Sequence, residues 1–191
     1  MAVVSSVALF STDKIDIHLA INALNAPAAD FFFKYWTYVG DGIFVALAAV
    51  LIAIFSFKKH GWTPFLFGAA ALMFSGVSVQ FLKRFVFDGA LRPSAFITEH
   101  TLHLVDGVKM HAHHSFPSGH TTVAFAFFGF AAVILARKNA GLQVLFAVCA
   151  GLVGYSRMYL SQHFLEDVFA GLLLGTFWVM ALTILFRKRL N

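Results

Sequence analysis

The chain has 191 residues, of which 60% are hydrophobic and 12% charged, and its mean hydropathy is +0.80. An ordinary soluble domain is about 45–50% apolar and about 25% charged, so this composition excludes disorder, a coiled coil and a disulfide-rich scaffold, and it points to a bilayer. The formal charge of +5 suits anionic headgroups or phosphorylated substrates; nucleic acid is not an expected partner, because long apolar runs separate the charges where a reader would carry one solvated basic face.

In chain order, residues 1–10 are apolar but lack a basic flank, which argues against a cleavable signal peptide. A sixth, imperfect span in this region stays open. Asp13, Lys14, Asp16, His18, Asp30 and Lys34 then interrupt the apolar positions and Pro27 breaks the run. Residues 15–24 and 28–38 therefore read as interfacial amphipathic helices within an interfacial segment 1–40, with Tyr35, Trp36 and Tyr38 anchoring at headgroup level. A helix crossing the roughly 30 Å hydrocarbon layer needs about 20 apolar residues. Five stretches meet or approach that length: 42–57, 62–82, 119–136, 141–155 or somewhat beyond, and 164–186. The expected fold is all-α, a single polytopic transmembrane helical bundle over 1–191 with five spans and the N-terminal interfacial helices. Cys149 falls inside an apolar stretch and reads as a small buried hydrophobe.

Basic residues follow alternate spans: Lys58, Lys59 and His60, then Arg137 and Lys138, then Arg187, Lys188 and Arg189. The positive-inside rule makes that side cytoplasmic. The extracytoplasmic side then receives segment 83–117 and connection 156–163, whose cations Lys83, Arg84, Arg92 and Arg157 need a reason to be there.

Three pieces on that side carry chemistry. Lys83 and Arg92-Pro93 supply cations. Ser118, a favoured N-cap, precedes the apolar helix beginning near Gly119, and a helix N-terminus offers unpaired backbone N–H groups to an oxyanion. His120 in the first turn can protonate a leaving oxygen. His163 and Asp167, four residues apart, share one helical face, so the carboxylate can take the Nδ1–H and leave Nε2 as a nucleophile. Arg157 offers a bidentate fork to phosphate oxygens.

These segments resemble the three motifs of the type-2 phosphatidate phosphatase superfamily, which includes lipid phosphate phosphatases and vanadium haloperoxidases. Pro117-Ser118-Gly119-His120 is intact, and Ser156-Arg157, five residues, His163, three residues, Asp167 matches in every fixed position. The first motif departs. The family pattern has six residues between lysine and Arg-Pro, whereas Lys83 has eight before Arg92, an insertion placed around Asp88-Gly89-Ala90. The resemblance implies that His163 attacks phosphorus, Asp167 orients it and His120 serves the leaving group and then water. Arg92, Arg157, Lys83, Ser118 and the Gly119 N–H would bind phosphate, with no metal and no cofactor.

The implied protein is a bacterial inner-membrane phosphatase with its site on the periplasmic face, taking a lipid phosphate laterally from the bilayer. The candidates are undecaprenyl pyrophosphate, phosphatidylglycerophosphate, phosphatidate and the 1-phosphate of lipid A. A phosphotransferase using the same phosphohistidine, and a non-catalytic transporter, are the alternatives; the oligomeric state is left open. His100, His103, His111, His113 and His114, with Glu99 and Asp106, crowd segment 83–117 but match no metal-ligand spacing, so a solvated loop is expected. Ala170, Gly171 and Gly175 form small-residue spacing for close helix packing inside the monomer. Glu166 is assigned no role.

Overall fold

The computed structural model describes residues 13–190; the apolar stretch 1–10, and with it the signal-peptide and sixth-span readings, lies outside the described residues. Helix α1 (Lys14–Asn22) starts where the Asp13 carboxylate accepts from the Ile15 N–H. Helix α2 (Pro27–Trp36) begins on a proline, whose missing N–H is harmless in a first turn, and runs into a 3-10 turn, Thr37–Gly40. Asp41 caps α3 (Gly42–His60) in the same way as Asp13 caps α1. Helix α4 (Thr63–Phe81) ends in a π turn, Leu82–Val86, and a single short turn, α5 (Pro93–Phe96), interrupts the following loop. Helices α6 (Gly119–Leu135), α7 (Ala140–Tyr159, capped by Asn139) and α8 (Leu165–Leu190) complete the bundle.

Four of these, α3, α4 with its π turn, α7 and α8, are long and apolar enough to cross a membrane. Helix α6 is shorter, with 17 residues, and packs against all four. A helix enclosed by protein has its ends covered by its neighbours, so it need not match the full hydrocarbon thickness. Its Ala126, Phe127, Phe130 and Ile134 join Val45, Phe67, Ala71, Val179 and Leu182 in the core. Helix α8 reaches α6 closely because Gly171 and Gly175 face it. A Cβ on Gly171 would stand 2.7 Å from the Ser118 carbonyl oxygen, and one on Gly175 would collide with that of Thr122. The small-residue spacing thus serves packing inside the monomer. Outward-facing Ile43, Phe55 and Leu185 are 75%, 84% and 74% exposed, an apolar surface of the kind a membrane-spanning bundle turns outward.

Short connections make α3 and α4, α6 and α7, and α7 and α8 antiparallel neighbours. Lys59, His60, Arg137 and Lys138 consequently meet around a cavity at one end of the bundle. The starts of α3, α6 and α8 and the ends of α4 and α7 meet at the other. Helices α1 and α2 are docked elements: both pack onto α7 at this second end and α1 also touches α8. His18, Asn22 and Thr37 are buried there. Their partners are remote in sequence: His18 Nε2 lies 3.1 Å from Ser161 Oγ, and Asn22 exchanges two 2.8 Å bonds with the backbone of His103. Hydropathy along the chain cannot register such pairings. Tyr35 and Tyr38 are exposed, as an aromatic anchor requires.

Candidate active site

The turn 160–164 between α7 and α8 carries His163, which is 1% exposed. One helical turn later, Asp167 Oδ2 lies 3.2 Å from His163 Nδ1. That carboxylate oxygen also accepts from the Ser115 hydroxyl at 2.5 Å and the Phe164 N–H at 3.0 Å. Three donors converge on one buried acceptor, which fixes the carboxylate and through it the tautomer that leaves Nε2 unprotonated. Burial, reinforced by Arg92, Arg157 and Lys83, holds the His163 imidazole well below its ordinary value of 6.5. It is therefore neutral at neutral pH, the form a nucleophile needs.

The two arginines share an acceptor. Arg92 Nη1 donates to Gln162 Oε1 at 2.9 Å, and Arg157 Nη2 donates to the same oxygen at 3.3 Å. Arg92 Nε donates to the His113 carbonyl at 3.1 Å and Arg157 Nη1 to Thr37 Oγ1 at 2.8 Å. Arg157 Nε is buried with no partner among the described residues. Two guanidinium groups held side by side repel each other until an anion lies between them.

Lys83 stands on the π turn, where the Phe87 N–H reaches back to the Leu82 carbonyl at 2.8 Å. Its ammonium donates to the His114 carbonyl at 2.7 Å. The longer stretch between Lys83 and Arg92 contains the π turn and a turn closed from Ala90 N–H to the Phe87 carbonyl at 3.2 Å, and Lys83 lines the same cavity as Arg92. Gly119 and His120 occupy the first turn of α6, where backbone N–H groups lack intrahelical acceptors. Ser118 holds the N-cap position but does not cap. Its N–H donates to the Asp167 carbonyl at 2.9 Å, tying α6 to α8, and its hydroxyl accepts from Thr121 at 2.9 Å.

One cavity of about 470 Å³ is lined by Lys83, Arg92, Gly119, His120, Arg157 and His163, together with Gln162 and Thr37. Asp167 lies behind His163. Ser118, fully buried, does not line the cavity, because its hydroxyl turns inward to Thr121. Of the loop histidines, His100, His111, His113 and His114 are exposed, as a solvated loop requires, whereas His103 is half-buried with Nε2 2.9 Å from Asp30 Oδ2; His114 Nδ1 lies 3.3 Å from the Lys83 carbonyl oxygen. Among the described residues no group of three or more His, Cys, Asp or Glu is placed to hold a metal ion. Glu166 pairs with Lys14 at 3.5 Å, away from the cavity wall. Ser115, Gln162 and Thr37 are the residues that motif reading missed. The first two adjoin recognised motifs, which is the available signal; Thr37 carries none.

A buried imidazole, a carboxylate behind it and cations converging at a helix N-terminus define a helical membrane protein with a cationic pocket at one end of its bundle. The chain belongs to the PAP2 superfamily, whose family profile matches residues 64–191, and it is a multi-pass membrane protein. It is 32% identical over 117 residues to lipid A 1-phosphatases of Rhizobium johnstonii and Rhizobium etli, a match covering 61% of this chain but 46% and 48% of theirs. It thus spans about half the length of the curated relatives it matches. The crystal structure of Aquifex aeolicus LpxE superimposes with a TM-score of 0.73 at 26% identity, covering 88% of this chain and 93% of that one. A PAP2-type phosphatidylglycerolphosphate phosphatase from Bacillus subtilis shares the fold, with a TM-score of 0.75 at 22% identity over 98% of this chain and 92% of that one.

Proposed function

We propose that this protein is a lipid phosphate phosphatase that hydrolyses a phosphomonoester or diphosphate of a membrane lipid through a phosphohistidine on His163. The observation that carries the reading is the convergence of His163, Arg92, Arg157, Lys83 and the α6 N-terminus on one cavity.

The Nε2 lone pair of His163 attacks phosphorus in line, the bond to the leaving oxygen breaks, and His120 gives that oxygen a proton. His120 then takes a proton from water, whose oxygen attacks phosphorus as the P–N bond breaks, releasing inorganic phosphate. Asp167 stabilises the imidazolium side of each transfer. Arg92, Arg157, Lys83 and the Gly119 N–H hold the equatorial oxygens, whose charge is spread in a loose transition state. No cofactor takes part in these steps.

The collection of basic residues at the opposite end of the bundle supports an extracytoplasmic site in a bacterial inner membrane. The curated relatives make the 1-phosphate of lipid A the first substrate to test, followed by undecaprenyl pyrophosphate, phosphatidylglycerophosphate and phosphatidate. The test is inorganic phosphate release by purified protein from each lipid alone. Turnover is expected for at least one, with His163→Ala lowering it by at least about 10³-fold. Robust turnover by His163→Ala would reject the mechanism, and phosphate appearing only on a second lipid would mean transfer in place of hydrolysis.

A further inference from the structure

The cavity holds more positive charge than one phosphoryl group needs. Besides Lys83, Arg92 and Arg157, its lining includes Lys34 and the exposed Lys109, and among the described residues no carboxylate lines it. A phosphomonoester carries at most about two negative charges near neutral pH. Fixed like charges facing one low-dielectric space repel unless further anionic charge enters with the substrate.

Lys34 is a positioned group. It comes from α2, outside the matched segment 64–191, and is half-buried. Its ammonium donates to the Asp106 carbonyl at 2.5 Å. It fits there because Gly107 has a φ of +75° and no side chain; a Cβ at Gly107 would stand 2.7 Å from Lys34 Nζ. One carbonyl occupies one of the three donors of an ammonium, which leaves two for a ligand. Lys109 follows in the same loop, and its carbonyl accepts from Gln162 Nε2 at 3.4 Å, so its backbone is tied to the amide that bridges the two arginines.

We infer that Lys34 and Lys109 form a second anion subsite, and that the preferred substrate carries a second phosphoryl group beyond the one transferred to His163. This rests on the phosphatase reading above and narrows it. The second group is bonded directly to the first, as in a lipid diphosphate, or stands farther out on the headgroup. The two share one recognition chemistry, and matched substrates separate them.

The experiment compares kcat/KM in detergent micelles for an isoprenyl diphosphate against the isoprenyl monophosphate, and for phosphatidylglycerophosphate against phosphatidate. The doubly phosphorylated member of at least one pair is expected to lead by about ten-fold or more, the scale of one charged hydrogen bond. Lys34→Ala and, independently, Lys109→Ala should shrink that ratio by about the same factor, while Lys34→Arg should keep it. Parity within both pairs, or variants that slow both members in equal proportion, overturns the inference. A binding arm uses the inactive His163→Ala protein with inorganic pyrophosphate and inorganic phosphate. Tighter pyrophosphate binding that is lost in the His163→Ala, Lys34→Ala double variant supports the subsite even if no lipid is turned over, a result in which only the phosphatase reading fails. Equal binding of the two anions counts against the subsite.

Discussion

Asp167 can orient His163 only as firmly as it is itself held, and Ser115 supplies the shortest of its bonds. The serine hydroxyl donates to Asp167 Oδ2 at 2.5 Å and stands 3.4 Å from His163 Nδ1. A buried carboxylate accepts but cannot donate, so losing a donor leaves charge unsatisfied. Ser115→Ala removes a charge-assisted bond worth about 1.5–3 kcal/mol, which predicts a fall in kcat of roughly 10- to 100-fold with little change in KM. Ser115→Thr keeps the hydroxyl and should recover most of the rate; equal losses in both variants would assign Ser115 to packing alone. Asp167→Asn should cost more, about 10³–10⁴-fold, because an amide cannot stabilise the imidazolium and favours the wrong tautomer. At this scale the sequence was legible wherever spacing encodes contact, as in His163 and Asp167 on one helical face. Gln162 was not legible. Its oxygen joins two arginines brought together by different elements, a relation that no local spacing records.

Helix α1 brings a titratable group into the joint behind His163. His18 is 2% exposed, its ring edge meets Phe164 at a centroid distance of 5.5 Å, and burial pushes its imidazole down to about 4. In an undocked or unfolded chain the same ring titrates near 6.5, so the undocked state binds the proton more readily. Docking of α1 is therefore fully stable above about pH 6.5 and weakens as pH falls toward 4, by roughly 3 kcal/mol in total. Thermal unfolding in detergent across that pH range should show a steeper acid-side loss for the wild type than for His18→Gln, which does not titrate. Identical pH profiles would mean that His18 charges without disturbing the joint. The existence of α1 and α2 was readable from the residues, and their ends fell within a few positions of those observed. Their place against α7 was not, because it is set by the polar contacts of His18, Asn22 and Asp30 to residues of the second half of the chain. The π turn under Lys83 was likewise invisible to a pattern based on 3.6 residues per turn.

For the molecule as a whole, long apolar runs made the polytopic helical bundle legible, although of the five expected spans four have spanning length and α6 is a shorter apolar helix packed among them. Under the proposed function, the same apolar exterior is where a lipid substrate would arrive. A nearly wholly apolar groove of about 410 Å³, lined by Leu82, Phe87, Phe116, Pro117, Leu173 and Phe177, runs between the end of α4 and α8. Leu82 precedes Lys83 and Pro117 lies two residues before Gly119, so the groove is lined by chain neighbours of residues that line the cavity. An acyl or isoprenyl chain lying there would hold its headgroup at the cations. Kinetics with a series of alkyl phosphates below their micellar concentrations should then show kcat/KM rising by up to about four-fold per methylene until the groove is filled. A flat series would mean that the chain does not engage this surface.

The contacts that tie the early helices to α7 and the turn after it also set when the cavity can exist. Arg157 to Thr37, Tyr159 to Asp30 and His18 to Ser161 join residues 120, 129 and 143 positions apart. During synthesis the early helices must wait, without these partners, until the ribosome has delivered the α7–α8 turn and the translocation machinery has placed the last segment in lipid. A nascent chain stalled before that point lacks His163 and has no complete pocket, so the pocket is conferred only by finished insertion.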